Sequence, residues 1–252
     1  MMSFILQMNL TGKVRSAKSA RYLPPPQGTL KRAYYELWIR FAYDVYRRQI
    51  SVFGRYSPKD VIKVLECGAG PGFLLKHMEI WFPKAILFGL DIDAQLICEA
   101  RSQTTRSRFV QASATEMPFS DASFDLLIAL HLVEHLPQPG CFFAEARRVL
   151  HDEGLLIIAT PNPTGIGARM MGKRWPGWRD ESHVSLNPPA FWRKLVSDNG
   201  FSILQDGTTG LSGIPFFRKF PLALINWVPL YVFGFFPWML GNAYVCITRP
   251  RR

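Results

Sequence analysis

Glu66, three spaced glycines and Asp91 are the residues whose types and spacing could act together on one ligand. In VLECGAGPG, Val64 to Gly72, an apolar run ends on a carboxylate and passes into Gly68, Gly70 and Gly72; Asp91 closes the next apolar run, AILFGLD. Such a turn lets a ligand approach the backbone closely, because glycine has no Cβ and tolerates left-handed backbone. A dinucleotide turn has the spacing G-x-G-x-x-G, and here Phe73 stands where its third glycine belongs. A P-loop is excluded, since no Gly-Lys-Ser/Thr follows. A carboxylate at Glu66, at the end of the first strand, repels a pyrophosphate and attracts a cation. Asp91, at the end of the second strand, can accept two hydrogen bonds from ribose hydroxyls.

A ligand with a ribose, a positive charge and no phosphate meets these conditions, and S-adenosylmethionine has all three properties. With VLECGAGPG, GLDID and SATEMPFSDASFDLLIALHLVEHLPQPGCFFAEARRVLHDEGLLIIATPN, residues 61–201 resemble class I S-adenosylmethionine-dependent methyltransferases. The closest group is the small-molecule one that includes the quinone-biosynthesis enzymes. The resemblance implies that Glu66, Gly68, Ala69 and Gly70 face the methionine portion of the cofactor. It likewise implies that Asp91 binds the ribose and Ile92 packs on the adenine. Ser113, with Ala114 beside it, stands where the family usually has an acidic residue for the adenine amino group; a serine hydroxyl can still accept, without charge assistance. His131 matches the position whose backbone meets the cofactor's amino group.

The sulfonium already makes the methyl carbon electrophilic, so the protein's part is to align an acceptor behind it and exclude water. In well-aligned systems proximity and orientation supply on the order of 7–11 kcal/mol. A hydroxyl acceptor gains from a general base titrating near neutrality, as histidine does. His183, in RDESHVSLNPPAF after the fifth strand, is the candidate base or acceptor-orienting residue. His77 and His151 read as solvated, and Glu134 and His135 as structural. The segment NPPAF is not the motif of DNA amino-methyltransferases, because Ala190 separates the second proline from Phe191. It reads as a helix start with Asn187 as cap and Pro188 in the first turn.

These residues must be positioned by alternating strands and helices. Apolar runs predict strands at Val61–Cys67, Ala85–Asp91, Arg108–Gln111, Phe124–Leu130, Gly154–Ala159, Phe201–Gln205 and Ala243–Thr248. Helical spacing predicts helices at Gly72–Trp81, Ala94–Ser102, Gln138–Leu150 and Pro188–Asn199. Near-continuous apolar strands between helices indicate an α/β fold whose parallel sheet is covered on both faces. With the resemblance, the expectation is a Rossmann-like seven-stranded sheet, mostly parallel with the last strand antiparallel. One methyltransferase domain is expected over residues 1–252. Residues 1–60 form an extended linker at Tyr22–Gly28 and a helical flank or lid carrying Tyr34, Leu37, Trp38, Phe41 and Val45. Residues 61–205 form the cofactor-binding core, and residues 206–252 an apolar insertion plus the last strand.

The 252 residues are 48% apolar and carry a net charge of +11. The basic residues are dispersed in pairs such as Arg47-Arg48 and Arg147-Arg148, so nucleic acid is not the expected partner. Four scattered cysteines form no C-x-x-C pair, and neither a disulfide framework nor a metal site is expected. The N-terminus, MMSFILQMNLTGKVR, lacks a secretion signal's charged n-region.

From Pro221 to Thr248 no residue is charged, and Phe216 to Leu240 reads FFRKFPLALINWVPLYVFGFFPWML. Pro221, Pro229 and Pro237 argue against one straight spanning helix. Two readings stay open: a peripheral membrane contact with Arg218, Lys219, Arg249, Arg251 and Arg252 near anionic headgroups, or an internal cap or dimer contact. Lys173–Arg179, with Trp175 and Trp178, reads equally as an acceptor platform or as loop packing. Methyl transfer to a lipophilic acceptor, at oxygen, is the expected function, in the cytoplasm and peripheral to the inner face of a membrane. The alternative is a non-catalytic or nucleic-acid-directed member of the same fold.

Overall fold

The structure is a computed structural model that describes residues 43–209 and 239–251. The predicted linker, most of the predicted flanking helix and residues 216–238 of the apolar insertion lie outside the described residues. Within them, α1 (residues 43–54) precedes an alternating series. It runs β1 (Lys63–Cys67), α2 (Phe73–Trp81), β2 (Ile86–Asp91), α3 (Ala94–Gln103), β3 (Arg108–Gln111), β4 (Phe124–Leu130), α4 (Pro139–Val149) and β5 (Leu150–Pro161). The short helices α5 (Ile166–Met171) and α6 (Pro176–Arg179) follow, then α7 (Pro189–Asp198), β6 (Phe201–Thr208) and β7 (Ala243–Pro250).

All seven strands join one sheet in the order β3-β2-β1-β4-β5-β7-β6. The pairs β1–β2, β1–β4, β2–β3 and β4–β5 are parallel, and β7 runs antiparallel to both β5 and β6. Successive residues of a strand point to opposite faces, so neighbours in sequence feed different cores. Val64, Leu126, Ile128 and Ile157 pack with Ile50 of α1, Leu75 and Met78 of α2 and Ile97 of α3. Leu65, Leu127, Ile158 and Cys246 pack with Phe142 and Phe143 of α4 and Trp192 and Val196 of α7. This double covering explains the unbroken apolar runs FDLLIAL and LLIIA. Each buried large apolar side chain contributes roughly 1.5–3 kcal/mol.

The structure extends three strands beyond their apolar runs. Leu150 pairs with Phe124 ahead of a register irregularity, which brings exposed His151, Asp152 and Glu153 into β5. Asp206, Gly207 and Thr208 pair with Cys246, Val245 and Tyr244, carrying β6 through polar residues, while β7 runs on to Pro250. Asn187 does not cap α7. Its side chain donates to Ser185 O, and Pro188 takes the N-cap position with no side-chain cap. At α3 the cap is Asp93, which accepts from Gln95 N and Leu96 N.

Antiparallel β7 places its two ends at opposite edges of the sheet. Ala243 pairs with Pro161 at the carboxyl end of β5, whereas Pro250 pairs with Phe201 at the start of β6. Eight residues at about 3.3 Å each put the two ends roughly 25 Å apart. Arg249 and Arg251 therefore sit at the end of the sheet opposite Thr208 and Ala243, and both are tied down. Arg249 bonds Glu153 and Phe53 O, and Arg251 donates to Phe201 O. No helix of the described residues is long and apolar enough to cross a membrane.

Gly72 caps α2 at φ +77°, where a Cβ would lie 3.0 Å from Ala100 and 3.2 Å from Phe109. Gly72→Val should destabilise the fold by strain on the order of 1–3 kcal/mol, before any clash is added. Gly140→Ala, in α4 with no described atom within 4 Å of the added Cβ, should be neutral or stabilising. Thermal midpoints of the two variants against the parent check both directions.

Candidate cofactor and acceptor site

The sheet order reverses at β1. The chain steps outward through β2 and β3, then returns to lay β4 on the other side of β1. Loops leaving the carboxyl ends of β1 and β4 diverge there, the place where open α/β sheets bind ligands. The residues singled out from the sequence converge on this edge.

In the turn after β1, Gly68, Gly70 and Gly72 all have positive φ, at 72°, 51° and 77°. Gly68 N and Ala69 N both donate to Leu90 O, at 2.8 and 3.0 Å, folding the turn over the end of β2. A Cβ on Gly68 would come within 3.1 Å of Leu132, just past β4, whereas one on Gly70 would meet no described atom within 4 Å. The turn is thus closed on the β4 side and open above Gly70. Asp91 braces it from β2: one carboxylate oxygen accepts from Gly70 N at 2.8 Å and the other from Asp93 N at 2.9 Å. That bracing role has no signature in the sequence.

Glu66 lies buried beneath this turn, opposite Gly89 of β2 and Ile128 of β4. Its Oε2 finds no hydrogen-bond partner among the described residues. Burial pushes its carboxyl well above the usual carboxylate range, and the Asp91 charge adds to the rise. A hydrogen bond from the backbone N–H of Leu75, near the start of α2, opposes both.

Beyond Asp91, Ile92 is 72% exposed, a large apolar side chain standing open at this edge. The Ser113 hydroxyl is engaged locally, 2.8 Å from Thr115 Oγ1 and accepting from Thr115 N at 3.2 Å. Ala114 is buried among the residues under α4.

His131 departs from β4 in left-handed backbone at φ +56° while its N–H donates to Ala159 O at 2.7 Å. Such a conformation costs a non-glycine residue on the order of 1–3 kcal/mol and persists where the surroundings impose it. Its ring is half-exposed, with Nδ1 3.3 Å from Oε1 of fully buried Glu134. Oε2 of Glu134 also has no hydrogen-bond partner among the described residues.

His183 reaches the same region from the segment before α7. Its ring packs on His135 at a centroid distance of 4.8 Å. His183 Nδ1 donates to Gly177 O at 2.7 Å, and His135 Nδ1 to Ser182 O at 3.0 Å. Ser185 secures the segment, bonding Glu134 O through its N–H and Leu136 O through its hydroxyl. Trp175 is buried with its indole N–H on Asn242 Oδ1, whereas Trp178 is half-exposed. The first therefore packs the loop, and only the second offers a surface. His77 is not a simple solvated histidine: its ring contacts Tyr43 and Trp81, and Nδ1 bonds Phe73 O. No sequence signal marks the His131–Glu134 contact or the His135–His183 pair, since both depend on where β4 ends and the later segment folds back.

A family described as methyltransferase domain matches residues 38–206, well over half of the chain. A Mycobacterium tuberculosis protein named as a probable S-adenosylmethionine-dependent methyltransferase is 33% identical over 118 residues, covering 46% of this chain and 42% of that protein. The malonyl-[acyl-carrier protein] O-methyltransferase of Legionella pneumophila is 29% identical over 126 residues, covering 49% and 44%. The chain thus spans less than half the length of these relatives. The trans-aconitate 2-methyltransferase of Shigella dysenteriae is 24% identical over 217 residues, covering 81% and 79%. The fold is shared with an S-adenosylmethionine-dependent methyltransferase of Thermotoga maritima, at a TM-score of 0.60 and 18% identity, covering 87% of this chain and 95% of that one. The chain belongs to the class I S-adenosylmethionine-dependent methyltransferases, an enzyme family whose cofactor is S-adenosylmethionine.

The raised carboxyl of Glu66 makes stability depend on pH in a fixed direction. Above the ordinary glutamate range the unfolded chain has lost this proton while the folded one still holds it. Stability therefore falls as pH rises toward the folded-state value. Glu66→Gln removes that dependence. The melting-temperature difference, variant minus parent, should grow from pH 4 towards neutrality in the absence of ligand, and a flat difference would contradict it.

Proposed function

We propose that this protein transfers the methyl group of S-adenosylmethionine to an oxygen atom of a lipophilic small molecule. The observation that carries the reading is Glu66, a buried carboxylate with an unpartnered oxygen under an open glycine turn. Leaving a buried polar group unpartnered costs about 1–3 kcal/mol, and a cationic ligand supplies the missing partner and draws the carboxyl to its charged form. A phosphate in the same place would be repelled by Glu66 and Asp91 together.

On this reading Glu66, Gly68, Ala69 and Gly70 hold the methionine end of the cofactor, with the His131 backbone at its amino group. Asp91 spends one hydrogen bond per oxygen on the backbone and keeps lone pairs for ribose hydroxyls. Exposed Ile92 offers an apolar surface to the adenine, whose edge falls to Ser113 and Ala114. When bound, the cofactor supplies an electrophilic methyl carbon. The chain's own residues orient the acceptor, exclude water and take up a proton. The half-exposed His131 ring, beside Glu134, stands open to an acceptor proton, whereas the His183 side chain is only 11% exposed. His183 then orients the acceptor.

A lipophilic acceptor is supported by exposed Trp178, Val184 and Met170 in the segment after β5. The insertion also leaves β6 and rejoins β7 at the edge that carries the glycine turn. Its apolar sequence, Phe216–Leu240, supports acceptor entry from a membrane that the protein meets peripherally, on the cytoplasmic face. Oxygen as the target is supported by the relative named as an O-methyltransferase.

Calorimetric titration with S-adenosylmethionine should show one site. Glu66→Gln should weaken it by roughly 10–100-fold, the loss of a charge-assisted hydrogen bond of about 1.5–3 kcal/mol; absence of binding at millimolar ligand would sink the reading. Labelled cofactor incubated with a lipid extract should give a labelled lipophilic ether or ester. If a hydroxyl is methylated, His131→Ala should lower kcat by about 10²-fold or more, and His183→Ala should act mainly on KM for the acceptor. Replacing Trp227, Phe235 and Trp238 with serine should release the protein from anionic vesicles, and unchanged partitioning would count against membrane contact.

A further inference from the structure

His135 and His183 each give Nδ1 to a backbone carbonyl, Ser182 O at 3.0 Å and Gly177 O at 2.7 Å. A carbonyl oxygen only accepts, so both Nδ1 atoms carry a proton, and Nε2 is the nitrogen of each ring left for a ligand. The two rings stand 4.8 Å apart between centroids. Glu134 adds a fully buried carboxylate whose Oε2 has no partner among the described residues. One ligating atom from each of Glu134, His135 and His183 lies within 4.8 Å of the others. Asp180 Oδ2 stands 3.9 Å from His183 Nε2 at the rim of the cluster.

We propose that Glu134, His135 and His183 bind a divalent transition-metal ion of the zinc type. Two imidazoles and one carboxylate are a donor set that suits zinc and leaves a coordination position open. An outer carbonyl on the second nitrogen of each ring is the arrangement that fixes the tautomer and aims a histidine at a metal. Metal–ligand distances of about 2.0–2.2 Å require the three donors to draw in by roughly 1 Å, a shift within side-chain rotation. The ion also answers the orphaned oxygen of Glu134, while Oε1 of that carboxylate stays on His131. With one anionic ligand, the filled site keeps a net positive charge. Its open position takes an oxygen donor, on the side from which the acceptor is proposed to approach.

The test uses the full chain without an affinity tag, stripped with chelator and dialysed. Titration with ZnCl2 should show one ion bound per chain and raise the melting temperature. Titration with CoCl2 should produce the visible absorption bands of a four- or five-coordinate ion with nitrogen donors. His183→Gln and Glu134→Gln should each weaken uptake beyond the roughly 10–100-fold that loss of a mere outer-shell partner costs, with circular dichroism confirming that each variant folds. If a variant fails to fold, the cobalt spectrum of the parent decides alone. No uptake by the stripped parent at micromolar free metal, octahedral cobalt bands, or folded variants that bind as well as the parent would each overturn the proposal. These readouts are independent of methyl transfer, so their failure leaves the cofactor reading intact and failure of that reading leaves the metal site standing.

Discussion

Parallel pairing of β1 with β2 on one side and β4 on the other is the constraint on which the site depends. It brings Glu66, Asp91 and His131, far apart along the chain, to one edge of the sheet. The register sets Glu66 opposite Gly89 and Cys67 opposite Leu90, so the turn after Cys67 reaches back to Leu90 O and Asp91. A Cβ at Gly89 would lie 2.6 Å from Phe109, so the close packing of α2 and β3 against β2 depends on a glycine there. The strands are buried on both faces, and a one-residue slip would exchange the two cores, which is why the register holds.

That constraint forces two carboxylates into proximity at the ends of adjacent strands. Asp91 is satisfied by backbone N–H groups, and Glu66 is left with an oxygen that nothing among the described residues serves. The same asymmetry recurs beside β4, where Glu134 is buried with one oxygen near His131 and the other unserved. Buried polar groups are normally hydrogen-bonded, so two carboxylate oxygens without a partner among the described residues are exceptions at this sheet edge.

The connections determine what surrounds this edge. Antiparallel β7 lies between β5 and β6, so the chain leaves β6 at Thr208 and enters β7 at Ala243 on the edge that carries the glycine turn, with Arg249 and Arg251 at the opposite one. The long return after β5 is stitched to the 3₁₀ turn after β4 by Ser185, His135 and His183. That stitching brings residues more than forty positions apart into one cluster.

Much was legible in the sequence. The boundaries of β3 and β4 follow directly from apolar runs, and the glycine spacing with Phe73, Glu66 and Asp91 already separates a sulfonium cofactor from a dinucleotide. These readings succeed because they rest on local chemistry: which residue can turn, which can carry charge, which must be buried. The polar ends of β5 and β6 were not legible, because backbone pairing needs no apolar side chain. Neither was the cap of α7, where Pro188 and not Asn187 takes the N-cap position. The strain at His131, the unserved oxygens of Glu66 and Glu134 and the stacked histidines belong to the tertiary structure alone. Each depends on which groups exclude water from one another, and that is decided by packing between elements distant in the chain.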